Sequence, residues 1–232
     1  MSPPVWPFRR RGPNGRTPGS RTPPAAPTGP EPLDPLLRWK LDRWFDCLVD
    51  APSGTGRRST PVRLTFRDYE LAATRVARAF RHRPGSREHR RLLACLRKLW
   101  RLHDREGTGA LDREAFAACV ARALRRERRS LVAAVNSLCC AMVDIADVDG
   151  DSLLSEREYR ALLAAGFRLD SEHDLRTAYR TLDRDNSGTL EHNEVHEAFV
   201  EFFTSTDPDS PGNWLLGGPR PPHGGRGGPY GS

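Results

Sequence analysis

The sequence predicts an all-α protein: four helix–loop–helix units, paired into two lobes that pack as one compact domain between disordered tails. Three observations predict it. Two twelve-residue stretches, DVDGDSLLSERE (147–158) and DRDNSGTLEHNE (183–194), place oxygen side chains at positions 1, 3, 5 and 12. Apolar residues recur at helical spacing before and after each stretch. Equivalent apolar offsets return along the chain: Phe116 and Val120, Tyr159 and Leu163, Val195 and Phe199 follow successive loops, which marks internal duplication of one unit.

Residues 1–32 are Pro, Gly, Arg, Ser and Thr with almost nothing apolar. They cannot bury enough surface to offset ordering entropy, so disorder is expected there. Leu37, Leu41, Trp44, Phe45 and Leu48 then mark an amphipathic helix over 34–49. In the following DAPSGTGRRSTPVRLTFRDYE, the residues Leu64, Asp68 and Tyr69 match loop positions 8, 12 and 13. Asp46 and Asp50 lie too far from Asp68 for a twelve-residue loop, and the intervening segment supplies arginines in place of paired carboxylates. The first unit is therefore read as having a lengthened loop that has lost its ion. Its exiting helix, 66–81, carries Tyr69, Val76 and Phe80 inward.

A turn around Pro84-Gly85 precedes a helix with Leu92, Leu93, Leu96, Leu99 and Trp100 on its apolar face. The loop after it, Asp104 to Ala115, keeps Gly109 and Leu111 at positions 6 and 8. Position 12 is Ala115, and Glu114 falls one residue early, so weak binding at best is expected. Residues 121–130, ARALRRERRS, read as a solvated helix end plus linker, closing an N-terminal lobe over 33–129. Ser130 is the expected cap of a helix reaching Ala146, with Leu131, Val135, Leu138, Met142 and Val143 inward. The C-terminal lobe, 130–217, holds both intact loops. Gly166 is the expected C′ residue of the helix between them, and Ser171 the cap of the next. The tail SPGNWLLGG (210–218) carries Trp214, Leu215 and Leu216, an apolar triplet expected to dock in a groove between helices. Residues 218–232 are expected to be disordered.

The two intact loops have the ligand spacing of EF-hand calcium loops. A hard cation needs oxygen donors converging from one short segment, which places Asp147, Asp149, Asp151, Leu153 and Glu158 around one ion. Asp183, Asp185, Ser187, Thr189 and Glu194 surround the other. Leu153 and Thr189 contribute backbone carbonyls at position 7, and each Glu closes its cage. Gly188 permits the positive φ needed at position 6. Ser152 occupies that position in the earlier loop, at an expected cost of about 1 kcal/mol. Two calcium ions are expected. Pairing of Leu154 with Leu190, and of Leu64 with Leu111, would join the loops of each lobe.

With four hands and the SPGNWLLGG tail, the stretch from about Leu33 to Gly217 resembles the prokaryotic, calerythrin-like branch of the sarcoplasmic calcium-binding protein family of actinomycetes. The resemblance implies two tightly packed lobes and ion ligands at the ten positions just named. The first loop departs from members whose first hand is intact, so no site is carried over there.

Composition narrows the function. The net charge of +7 is split: residues 131–216 hold 17 acidic and 6 basic residues, whereas residues 1–130 sum to +16. The Arg-rich half leaves open an acidic protein partner, but no nucleic-acid fold signature accompanies it, and nucleic acid is not the expected partner. The five cysteines lack metal spacing and fit a reduced, cytoplasmic interior. The N-terminus lacks an apolar signal region, and no run approaches the roughly 20 apolar residues of a membrane span. The seven histidines are scattered beside charged residues and read as mostly exposed; His192 and His196 share a helix face without a matched zinc motif. Catalysis is not expected. The readings are an intracellular calcium buffer or sensor, monomeric, or a calcium-controlled adaptor. With only two methionines, Met1 and Met142, a Met-rich target groove is absent, which favours a buffer.

Overall fold

Six of the eight helices described begin where a short polar side chain precedes an apolar repeat. The computed structural model describes residues 33–49 and 62–218. The tails expected to be disordered (1–32, and 218–232 apart from Gly218) and most of the altered first loop lie outside these residues. Asp34 opens α1 (Pro35–Leu48) by accepting the Leu36 and Leu37 amides at 2.9 and 3.2 Å. Pro35 suits the first turn, where its missing N–H leaves nothing unpaired. The short strand β1 (Leu64–Thr65) runs into α2 (Phe66–Ala79), whose Asp68 reaches back to the Thr65 amide at 2.7 Å. Ser86 caps α3 (Arg87–His103), and Asp112 caps α4 (Arg113–Arg126) after the strand β2 (Ala110–Leu111). Next come α5 (Arg128–Ala146), α6 (Glu156–Phe167), α7 (Glu172–Leu182) and α8 (His192–Thr204). A 3-10 turn, Pro211–Trp214, ends the described chain.

The loops pair as the repeat predicts. β1 and β2 are antiparallel with Leu64 opposite Leu111. Leu154 and Leu190 exchange both backbone hydrogen bonds, at 2.9 and 3.0 Å. Helices of one lobe then lie along helices of the other: α3 on α5, α2 on α6 and α1 on α8. Trp44 of α1 shows the result, with ring centroids 5.0 Å from Phe167 and 4.9 Å from Phe203. One apolar core therefore runs through both lobes.

Four local expectations are corrected. The basic connector is a kink at the single residue Glu127, between α4 and α5. Its Ala, Leu and Arg residues favour helix, and the Glu127 carboxylate accepts from Arg105 and from Arg122. Ser130 accordingly lies inside the first turn of α5 and does not cap it. Gly166 is not the C′ residue but belongs to α6, where a Cβ would meet Val76 Cγ2 at 3.2 Å; the left-handed cap is Arg168, at φ 56. Arg75 closes that helix end by donating to the carbonyls of Ala165 and Gly166 at 2.9 and 3.0 Å. His103 and His89 are buried, whereas their charged neighbours in sequence suggest exposure.

The 19-residue α5 has the length and composition of a membrane-crossing helix. A search for an uninterrupted apolar run passes over it because Asn136, Ser137 and Asp144 break the run. In the fold it is a core helix, with Leu131, Val135, Leu138 and Met142 buried and with α3 and α8 packed along it.

The 3-10 turn lies on α8 at a separation only glycine allows. A Cβ on Gly212 would stand 2.4 Å from Glu201 Cβ and 2.6 Å from the Ala198 carbonyl oxygen. Leu215 and Leu216 are buried and Trp214 is half-buried. Lys40, fully buried in α1, donates to the Glu201 and Ser205 carbonyls at 3.0 and 2.7 Å and to Asn213 Oδ1 at 3.1 Å. One ammonium thus satisfies the end of α8 and holds the tail.

Candidate metal centre

In the last loop, the side chain at position 1 organises the turn. Asp183 accepts the Ser187 amide at 3.0 Å and the Gly188 amide at 2.9 Å. Gly188, at φ 85, makes that turn without strain. Glu194 bridges the loop from the far end, accepting the Arg184 amide at 2.7 Å and the Glu191 amide at 2.9 Å. Position 12 is thereby fixed relative to positions 2 and 9. Carboxylate oxygens of Asp183, Asp185 and Glu194 lie within 4.8 Å of one another. The Ser187 hydroxyl sits 2.8 Å from the Thr189 carbonyl oxygen, so positions 5 and 7 present adjacent oxygens. Hydrogen bonds from the Ser187 amide and hydroxyl hold the Asp185 carboxyl below its ordinary range.

The neighbouring cation does not neutralise this cluster. Arg184 turns outward to Glu201 at 2.7 Å and Glu197 at 3.1 Å. Glu201 also accepts the Ser210 hydroxyl and the Gly212 amide, each at 2.8 Å. Burial opposes ionisation of Glu201, but Arg184, the Gly212 amide and the Ser210 hydroxyl outweigh it and lower its pKa. Loop, α8 and tail are thus joined through one carboxylate.

The third loop repeats the arrangement. Asp147 accepts the Gly150 amide at 2.7 Å and the Ser152 amide at 3.1 Å, and Ser152 adopts φ 65. Asp151 accepts the Leu153 amide at 2.8 Å. Glu158 spans from the Val148 amide, 2.9 Å, to the Ser155 amide, 3.0 Å. Here Asp147, Asp149 and Asp151 have oxygens within 4.8 Å of one another, while Glu158 lies outside that group. The two loops share Tyr179, whose hydroxyl lies 3.0 Å from both the Leu154 and Gly188 carbonyl oxygens. Burial pushes this phenol up to about 12.

In the N-terminal lobe, acidic groups beside the second loop are held in ion pairs. Asp104 keeps the turn, accepting the Thr108 and Gly109 amides at 2.7 and 2.8 Å. Glu114, one residue early, is taken by Arg38 of α1 at 2.5 and 2.8 Å. Arg113 pairs with Asp42 and Asp46.

Sequence reasoning passed over Lys40, whose partners are remote in sequence, and the Glu201 junction, which no loop position marks. It also passed over Cys140, which joins His192 and His196 in a third cluster of ligand-type atoms.

No family model matches the chain, and no curated protein matches it in sequence. Solved structures do. A Streptomyces coelicolor calcium-binding protein aligns at 22% identity over 72% of this chain and 98% of its own, with a TM-score of 0.59. A sarcoplasmic calcium-binding protein from amphioxus aligns at 18% identity over 81% and 100%, with a TM-score of 0.57. Calcium-loaded apo-aequorin from Aequorea victoria aligns at 18% identity over 75% and 93%, with a TM-score of 0.58. The chain shares the four-hand fold of these proteins.

Proposed function

We propose that this chain binds two calcium ions, one in each C-terminal loop, and acts as a buffer. One observation carries the reading: three carboxylates of the last loop converge within 4.8 Å while the adjacent arginine turns away. Like charges at that spacing repel one another. A divalent cation reverses the sign of that term, and an all-oxygen donor set suits a hard ion. Asp183, Asp185, Ser187, the Thr189 carbonyl and Glu194 would hold one ion. Asp147, Asp149, Asp151, the Leu153 carbonyl and Glu158 would hold the other. Calcium supplies charge neutralisation; the chain supplies preset turns and closing glutamates already anchored to both ends of their loops. Similarity to calcium-binding structures, including a Streptomyces protein described in terms of calcium-mediated regulation, supports the calcium-binding part of this reading.

Burial of the apolar faces supports the buffer reading. The two lobes bury theirs against each other, and Val148 is the one exposed large hydrophobic among the described residues. A sensor would expose a groove on binding. The apolar cavity beside Trp44 and Phe167 has a volume of about 20 Å³, too small for an organic chromophore. Many arginines of the N-terminal lobe pair with nearby carboxylates, which leaves less free charge for an acidic partner.

Calcium titration by calorimetry is the test. Two strong sites are expected, one removed by Glu158→Gln, one by Glu194→Gln, and both in the double variant. A stoichiometry of zero, three or four, or titrations unaffected by these variants, would overturn the proposal.

A further inference from the structure

His192 and His196, four residues apart on one face of α8, play no part in the calcium reading. The fold brings Cys140 of α5 up to them. Cys140 Sγ lies 3.4 Å from His192 Nε2. The two imidazoles stack with centroids 5.6 Å apart and planes 29° apart. One ligand atom from each of the three residues lies within 4.8 Å of the other two. His192 is exposed and the other two are half-buried, so an ion can reach the cluster from solvent.

Zinc–sulfur and zinc–nitrogen bonds in a tetrahedral site set ligand atoms about 3.4–3.6 Å apart. The Cys140–His192 distance already falls there, and the remaining separations, at most 4.8 Å, exceed it by no more than about 1.4 Å, within the reach of side-chain rotation. Burial and the neighbouring His192 lower the His196 pKa, against a hydrogen bond between its ring and the backbone of Asn136, one turn before Cys140 on α5. A proton held on one nitrogen leaves the other for a metal, the usual support of a ligating imidazole.

We propose that Cys140, His192 and His196 form a zinc-class transition-metal site separate from the oxygen loops. Thiolate and imidazole select borderline and soft ions, whereas the loops offer only oxygens to hard ones. Zinc forms a bond to Sγ and displaces the thiol proton to solvent; both imidazoles bind neutral, and water takes the fourth position. The complex carries a net +1. The positive end of α8 opposes a cation beside His192, and the thiolate offsets it, so affinity turns on Cys140. Bound metal would tie the helix entering the third loop to the helix leaving the fourth.

The test uses the reduced full chain with calcium present in excess. Cobalt(II) is added as a spectroscopic stand-in, then displaced by zinc. One cobalt per chain should give sulfur-to-cobalt charge-transfer absorption and intense tetrahedral visible bands, both lost on adding one equivalent of zinc. Cys140→Ser should abolish the charge-transfer band, and His192→Gln or His196→Gln should weaken zinc binding by about tenfold or more. All three variants should keep the helical circular dichroism of the parent. Absence of the band in the parent would show that the sulfur–imidazole contact is a hydrogen bond only and would overturn the proposal. So would zinc binding to Cys140→Ser as tight as to the parent. The calcium loops contain no sulfur, so this readout fails or succeeds independently of the calcium reading.

Discussion

Acid should destabilise this protein through a residue outside its loops. His103 ends α3 and is fully buried. Trp44 Nε1 can only donate, and it lies 3.3 Å from the Tyr69 hydroxyl oxygen. The Tyr69 O–H therefore points onward to His103 Nδ1, 3.1 Å away. This places the imidazole proton on Nε2, which has no hydrogen-bond partner among the described residues. The ring meets Phe116 edge-on at 4.9 Å and 85°. A second proton would remove the acceptor Tyr69 uses and put a charge into an apolar core. Burial accordingly lowers the pKa from the ordinary 6.5 to about 3. Between those values the unfolded chain binds a proton that the native chain refuses. Stability is full above the unfolded pKa and falls as pH drops toward 3. Over the interval from pH 7 to pH 5 the loss from this group is about 2 kcal/mol. Urea unfolding of parent and His103→Gln at both pH values, with chelator throughout, isolates the term, because glutamine does not titrate. The parent should lose about 2 kcal/mol more than the variant. Equal losses would refute the reasoning. An NMR titration in which the His103 imidazole ionises near pH 6 would also refute it.

Other outcomes follow from the tail and the loops. Truncation after Asp209 removes two fully buried leucines and should cost about 4 kcal/mol or more, seen as a thermal midpoint lower by about 10 °C; an unchanged midpoint would mean the tail is free. Gly212→Ala should destabilise by about 1–3 kcal/mol, since its Cβ would overlap α8; chemical unfolding measures it. Lys40→Met leaves three acceptors, the buried Asn213 Oδ1 among them, without the ammonium and should cost about 3 kcal/mol in the same assay. Ser152→Gly relieves a left-handed residue and should tighten calcium at the third loop by about 1 kcal/mol, or about fivefold, by calorimetry.

The start of α7 was legible because a cap is local: Ser171 bonds the Asp174 amide three residues on, whereas Ser130, expected to do the same, falls inside α5. The loop cross-links were legible for a similar reason, since Leu64 faces Leu111 and Leu154 faces Leu190 wherever two hands pair. The convergence of Asp183, Asp185 and Glu194 was legible because all three lie within one twelve-residue loop. Gly166 shows the limit. Its position late in α6 suggested a helix stop, but its side-chain void is occupied by Val76, ninety residues earlier in the chain. His103 and Cys140 show it again: the charged neighbours of one hid its burial, and the spacing of the other revealed no ligand partners.

By itself, then, the sequence determined the repeated unit, its turns and the spacing of its candidate ligands, all set by forces acting within about a dozen residues. Only the tertiary structure decided which helix faces meet. It placed Lys40 against Glu201, separated by 161 positions, and Cys140 against His192, separated by 52. Such pairs carry no local signal, because burial and close packing of distant segments select them after the local elements have formed.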